Sequence, residues 1–190
     1  MARARRFVTE GGFAVVALDA PHHGDRPRTE EFGRVVAELR AGMAAGGDDG
    51  APLAAMHTFL AGQAVPEWQA VLTAVQELDL VGAGPVGYWG LSMGCGLGIP
   101  FVAAEPRVRA AVLGLLGAYR LTGTAARITV PVRFLLQWDD DMVPRDQGLA
   151  LFDALGPVVK TLSAHPGKHG EVPESETDES LRFFTRHLGR

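Results

Sequence analysis

The sequence predicts an α/β fold: a mostly parallel sheet with helices on both faces. Three observations predict it. From residue 84 onward, short apolar runs alternate with stretches of helical periodicity. Runs such as "FAVVALD" (13–19) are short and valine-rich, as strands covered on both faces require. And "GYWGLSMGCGLG" (87–98) sets one serine among glycines, between an apolar run and a helical stretch.

In chain order, residues 2–9 read as the end of a helix closed by Gly11-Gly12. Residues 13–19 read as a buried parallel strand and 20–27 as a loop. Phe32, Val35, Val36 and Leu39 share one face of a helix over 30–43. "AAGGDDGAP" (44–52) reads as a linker. A helix follows over 53–62, and Pro66 opens another, with Trp68, Val71, Leu72, Val75 and Leu78 at helical spacing. Strands are expected at 84–91, 108–117, 131–138 and 157–164. Helices are expected at 93–106, 145–155 and 176–189, the last with Leu181, Phe184 and Leu188 on one face.

The 190 residues fit a single domain, 1–190, able to bury its core without disulfides. One cysteine, Cys95, excludes an internal disulfide and is compatible with a reducing compartment, and a cytoplasmic location is expected. The net charge of −4 gives no support to nucleic-acid binding. The uncharged run 80–104 is long enough for a membrane span, but its glycines and Pro85 and Pro100 argue for a strand, a turn and a buried helix. No membrane partner is expected.

Gly90-Leu91-Ser92-Met93-Gly94 is G-x-S-x-G between a strand and a helix. A sharp strand-to-helix turn strains the serine backbone, and neighbours two positions away must lack side chains for the turn to close. The hydroxyl then stands at the C-terminal edge of the sheet, where the backbone N–H of Met93 faces an oxyanion. A serine needs a base, and the base an orienting acid, in the chain order Ser, Asp or Glu, His. Downstream lie His165, His169 and His187, of which the first two flank a loop after the last strand. Asp139, Asp140 and Asp141 follow the strand 131–138.

These motifs resemble the α/β-hydrolase family over nearly the whole chain. "GLSMG" resembles its nucleophile turn, "QWDDDMVP" its G-x-x-D-x-x-V-P acid loop and "HPGKHGEVP" its G-x-H-G base loop. The resemblance implies Ser92 as nucleophile, Asp140 as acid, His169 as base and Met93 N–H in the oxyanion hole, in a carboxylesterase-like enzyme working through an acyl-enzyme without cofactor or metal. The non-enzyme alternative is an impaired hydrolase fold serving as a binding module. "LDAPHHGDR" resembles the family's D-x-x-G-x-G rim loop, with His22 at its first glycine. His22, His23 and Trp138 are candidate substrate-binding residues. Residues 28–65 form either a small lid or surface helices covering the sheet.

The family sheet has strands ahead of 13–19, one of them lying between that strand and the nucleophile strand. The chain is therefore expected to be N-terminally truncated: a late gene start, a natural truncation with 13–19 moved beside 84–91, or a partner chain covering the exposed edge. The last gives a candidate homodimer.

Overall fold

The computed structural model describes residues 2–45 and 50–189. Its frame is one parallel sheet of four strands, β1 (Val86–Leu91), β2 (Val108–Gly114), β3 (Val132–Gln137) and β4 (Lys160–His165), in the order β1-β2-β3-β4. Strand alternation divides the core. Ala111 and Leu113 of β2 face one cluster, and Ala110 and Val112 face the other.

The first cluster is closed by α3 (Gly50–Gln76), α4 (Met93–Ala104), the short α5 (Thr122–Ala125) and α6 (Arg145–Ala154). The second is closed by α1 (Ala2–Thr9) and α7 (Ser175–Leu188), where Phe7 meets Phe184 edge-on at 5.9 Å. α7 sits close because Gly87 lacks a side chain: a Cβ there would lie 2.7 Å from the Phe184 ring. The sheet thus has helices on both faces, as expected.

α2 (Glu30–Ala44) begins at Thr29, whose hydroxyl accepts the N–H of Phe32 at 3.2 Å, with Glu30 and Glu31 in the positive first turn. Beyond it, the expected linker falls largely on 46–49, outside the described residues. α3 is one helix where two were expected. Pro66 lies inside it. Proline leaves the carbonyl of residue 62 without its helical partner, and Gly62 lies on the exposed side of the helix, open to solvent. α5 was not foreseen; four residues carry too little periodicity to be read.

The segment 13–19 corrects an expectation. It is neither a buried strand nor paired with β1. It forms neither strand nor helix, and Val15, Val16 and Leu18 are exposed, Val16 by 51%. Its ends share clusters with β1 and the residue that follows the nucleophile: Phe13 with Trp89 and Leu91, Ala20 with Met93. A strand exists only where a ladder partner lies alongside, and none of the described residues supplies one.

Among the described residues, no helix is long and apolar enough to cross a membrane. The run 80–104 instead forms turns, β1 and α4.

Candidate active site

β1 ends at Leu91 and α4 begins at Met93, so Ser92 alone makes the reversal. Its φ of 54° and ψ of −121° lie where a side chain is strained. The strain is held from both sides. The Ser92 N–H donates to the Gly114 carbonyl at 2.9 Å, and the Ser92 carbonyl accepts from Cys95 N–H at 2.8 Å and Gly96 N–H at 3.1 Å. Met93, as the first helical residue, has no intrahelical acceptor for its N–H. That N–H lies at the positive end of an uncharged helix, one residue after Ser92.

The two motif glycines differ in their reasons. At Gly90 a Cβ would stand 2.5 Å from the Gly94 carbonyl oxygen, so the turn requires glycine. At Gly94 a Cβ would meet nothing within 4 Å. The second tight position is instead Gly98, where a Cβ would fall 2.1 Å from the ring of Tyr88. That ring bridges strand and helix, and its hydroxyl donates to the Gly94 carbonyl at 2.6 Å. Burial pushes the Tyr88 hydroxyl far above its ordinary pKa, so it stays a donor. The motif count does not expose Tyr88. The signal was present, however: an aromatic four residues before the serine, with a glycine six residues after it.

His169 reaches the serine from the loop after β4. The Ser92 Oγ donates to His169 Nε2 at 2.9 Å, and His169 Nδ1 stands 2.8 Å from Asp140 Oδ2. Asp140 accepts only, which fixes the ring proton on Nδ1 and turns the Nε2 lone pair to the hydroxyl. The acid and base side chains are secluded, with exposures of 4% and 14%. Asp140 also accepts the N–H groups of Met142, at 2.8 Å, and Val143, at 2.9 Å, so the loop forms around its carboxylate. The three side chains singled out from the sequence therefore meet in one hydrogen-bonded chain.

The neighbouring aspartates hold the base loop rather than the ring. Asp141 accepts the His169 backbone N–H at 3.2 Å, and Asp139 Oδ2 lies 3.5 Å from the Gly167 N–H. The buried Gln137 donates to the Lys168 carbonyl at 3.1 Å, tying the loop to the end of β3.

The other candidates do not join that chain. His165 turns away to the buried Glu176 at 2.5 Å, in a half-buried group with Ser163 and Arg133. His22 takes φ 65°, the backbone a glycine would take at that rim position. Its ring stacks on Phe32 at 4.7 Å, Nδ1 faces the Pro27 carbonyl and Nε2 the Gln63 amide, so His22 is spent on packing the rim loop against α2 and α3. His23 bonds the Pro21 carbonyl at 2.8 Å. Trp138 is 45% exposed beside the acid loop, with the Arg145 guanidinium over its ring. Cys95 is fully buried, and burial pushes its thiol up to about 12.

Solved structures carry the comparison further. A cold-adapted esterase from an Arctic intertidal metagenomic library, in complex with PEG, matches at 36% identity and a TM-score of 0.66, over 90% of this chain and 68% of its own. The chain belongs to the α/β-hydrolase family. A zinc-bound structure of such an esterase matches at 36% identity and a TM-score of 0.65, over 71% of this chain and 63% of its own. A Pyrococcus furiosus esterase shares the fold over the whole chain, at 14% identity and a TM-score of 0.70, across 76% of its own length. This α/β-hydrolase thus spans about two thirds of the metagenomic esterase. No protein-family model and no curated protein matches it.

Proposed function

We propose that this α/β-hydrolase cleaves a carboxylic ester, or a related thioester or amide, through an acyl-enzyme. Ser92 attacks the carbonyl carbon as His169 Nε2 takes its proton. Asp140 orients the ring and stabilises the imidazolium. The Met93 N–H binds the oxyanion. His169 then returns the proton to the leaving group, and water repeats the sequence in reverse. The single observation that carries this reading is the relay from Ser92 Oγ to His169 at 2.9 Å and on to Asp140 at 2.8 Å. The esterases among its structural relatives agree with it.

Trp138 is the exposed apolar surface offered to a substrate beside that relay, and His23 the polar group at the rim. α2 and the first half of α3 form the small lid, within 28–65. The reading needs no metal or cofactor, and the lone buried thiol fits a cytoplasmic enzyme. Fluorophosphonate labelling tests it. Wild type should label on Ser92, S92A should not, and S163A should label normally. Absence of labelling in wild type would favour a binding module instead. A p-nitrophenyl ester series then gives the acyl preference.

A further inference from the structure

We propose that Gln137 is a positioning residue: from the end of β3 its amide grips the Lys168 carbonyl and so aims His169 at Ser92. This rests on the reading of His169 as the base. In the acid-loop pattern G-x-x-D, Gln137 stands where the pattern has glycine, a residue with no side chain to reach another loop. Here the side chain crosses to the base loop, and its Nε2 donates to the Lys168 carbonyl at 3.1 Å.

That carbonyl opens a tight turn. The Glu171 N–H donates to the same oxygen at 2.9 Å, closing residues 168–171 with His169 and Gly170 at the corner. The Lys168 N–H donates in turn to Glu171 Oε2 at 2.8 Å. The peptide unit between Lys168 and His169 is held at its other end as well, because the His169 N–H donates to Asp141 Oδ1 at 3.2 Å. A peptide unit is planar, so holding its carbonyl and its N–H fixes the direction in which the His169 side chain departs.

Of these grips, that of Gln137 comes from the buried frame. Gln137 is 2% exposed at the end of a core strand, whereas Asp141 and Glu171 are exposed and their bonds compete with water. Room for the grip is made at Gly167, whose φ is 118°. A Cβ there would stand 3.1 Å from both Gln137 Nε2 and Glu171 Oε2. An amide also suits the place because it donates without charge. A cation beside Asp139, Asp140 and Asp141 would compete with His169 for the acid.

Two variants separate the donor from the bulk of the side chain. Q137M keeps length and burial and removes the donor. Q137E keeps length and donates only while its carboxyl is protonated. An alkyl fluorophosphonate reads the labelling rate of Ser92, and p-nitrophenyl acetate reads kcat and KM. Q137M should label about 10- to 100-fold more slowly, the scale of a misplacement of roughly 1 Å, with kcat falling alike and KM and circular dichroism unchanged. The rate of Q137E, taken as a ratio to wild type, should rise as pH falls and the buried carboxyl regains its proton. E171A loosens the same turn from the exposed side and should show a smaller loss of kcat, which keeps the test decisive where Q137M does not fold. A second readout needs no reaction: the nitrogen-15 spectrum of the histidine rings, with His169 assigned through H169A. Wild type should show His169 as a single Nδ1–H tautomer and Q137M as a mixture. Were wild type not to label at all, the reading of Ser92 would fall, and the ring spectrum would decide the positioning by itself. Labelling of Q137M at the wild-type rate, a loss in KM rather than kcat, a Q137E ratio flat with pH, or an unchanged His169 ring in Q137M would each overturn the proposal.

Discussion

Replacing Tyr88 with phenylalanine removes one hydroxyl and leaves the ring in its seat. The lost contact is the 2.6 Å bond to the Gly94 carbonyl, in the first turn of the helix that follows Ser92. Ring packing against Trp68 and Phe101, at 6.0 and 5.7 Å, is retained. A buried acceptor left without its partner costs about 1–3 kcal/mol. The lower figure applies, because the Gly94 carbonyl keeps its helical donor, the Gly98 N–H. About 1 kcal/mol lowers the melting temperature of a domain this size by roughly 2–4 °C. If the loosened turn loses the same amount in the transition state, acylation slows about fivefold. Calorimetry and the rate of fluorophosphonate labelling read the two effects, with KM for a p-nitrophenyl ester nearly unchanged. A variant identical to wild type in both readouts would refute the claim that the hydroxyl straps strand to helix.

Four further outcomes follow from the same geometry. Asp140→Asn reverses the hydrogen-bonding sense at His169 Nδ1 and should cost on the order of 10⁴ in kcat with the fold intact by circular dichroism. Gly98→Ala drives a methyl into the Tyr88 ring and should destabilise by about 1–3 kcal/mol in urea unfolding, whereas Gly94→Ala should be tolerated sterically. Burial lowers the His57 pKa from 6.5 to about 4, so the folded state binds fewer protons than the unfolded chain between those values. Stability should be full above pH 6.5 and fall as pH drops through that window, and His57→Leu should remove this limb of the stability profile. Burial works against charge on Glu176, but Arg133, Ser163 and His165 outweigh it and hold its carboxyl below the ordinary range. Its stabilisation is therefore present above the unfolded carboxylate pKa and lost in more acid solution, a loss that Glu176→Gln should flatten in acid titrations followed by fluorescence.

β2 and β3 were legible because each lies almost wholly buried and carries a largely apolar run, whereas β4, KTLSAH, is largely exposed and was legible only from the apolar residues that precede it and from the alternation of strands and helices. Ser92, Asp140 and His169 were legible because each closes a strand with a loop whose residue types are dictated by its chemistry. Segment 13–19 has the composition of a strand, but a ladder needs a neighbour, and composition does not show whether one exists. Pro66 read as a helix start because a proline suits that position. It does not show that the preceding turn already points along the same axis. The hold of Asp139 and Asp141 on the base loop was hidden, since the contacts of adjacent carboxylates depend on where the loop aims them. Of the two glycines in G-x-S-x-G, only Gly90 is sterically required, and the other tight site, Gly98, depends on a ring ten residues earlier.

The most direct measurement is a rapid-quench reaction with p-nitrophenyl acetate, followed by intact mass and peptide mapping. The account predicts a burst of p-nitrophenolate stoichiometric with enzyme and an acetyl group on the peptide holding Ser92, both abolished in His169→Ala. Turnover without a burst and without acylated Ser92, or a burst that survives in His169→Ala, would contradict it.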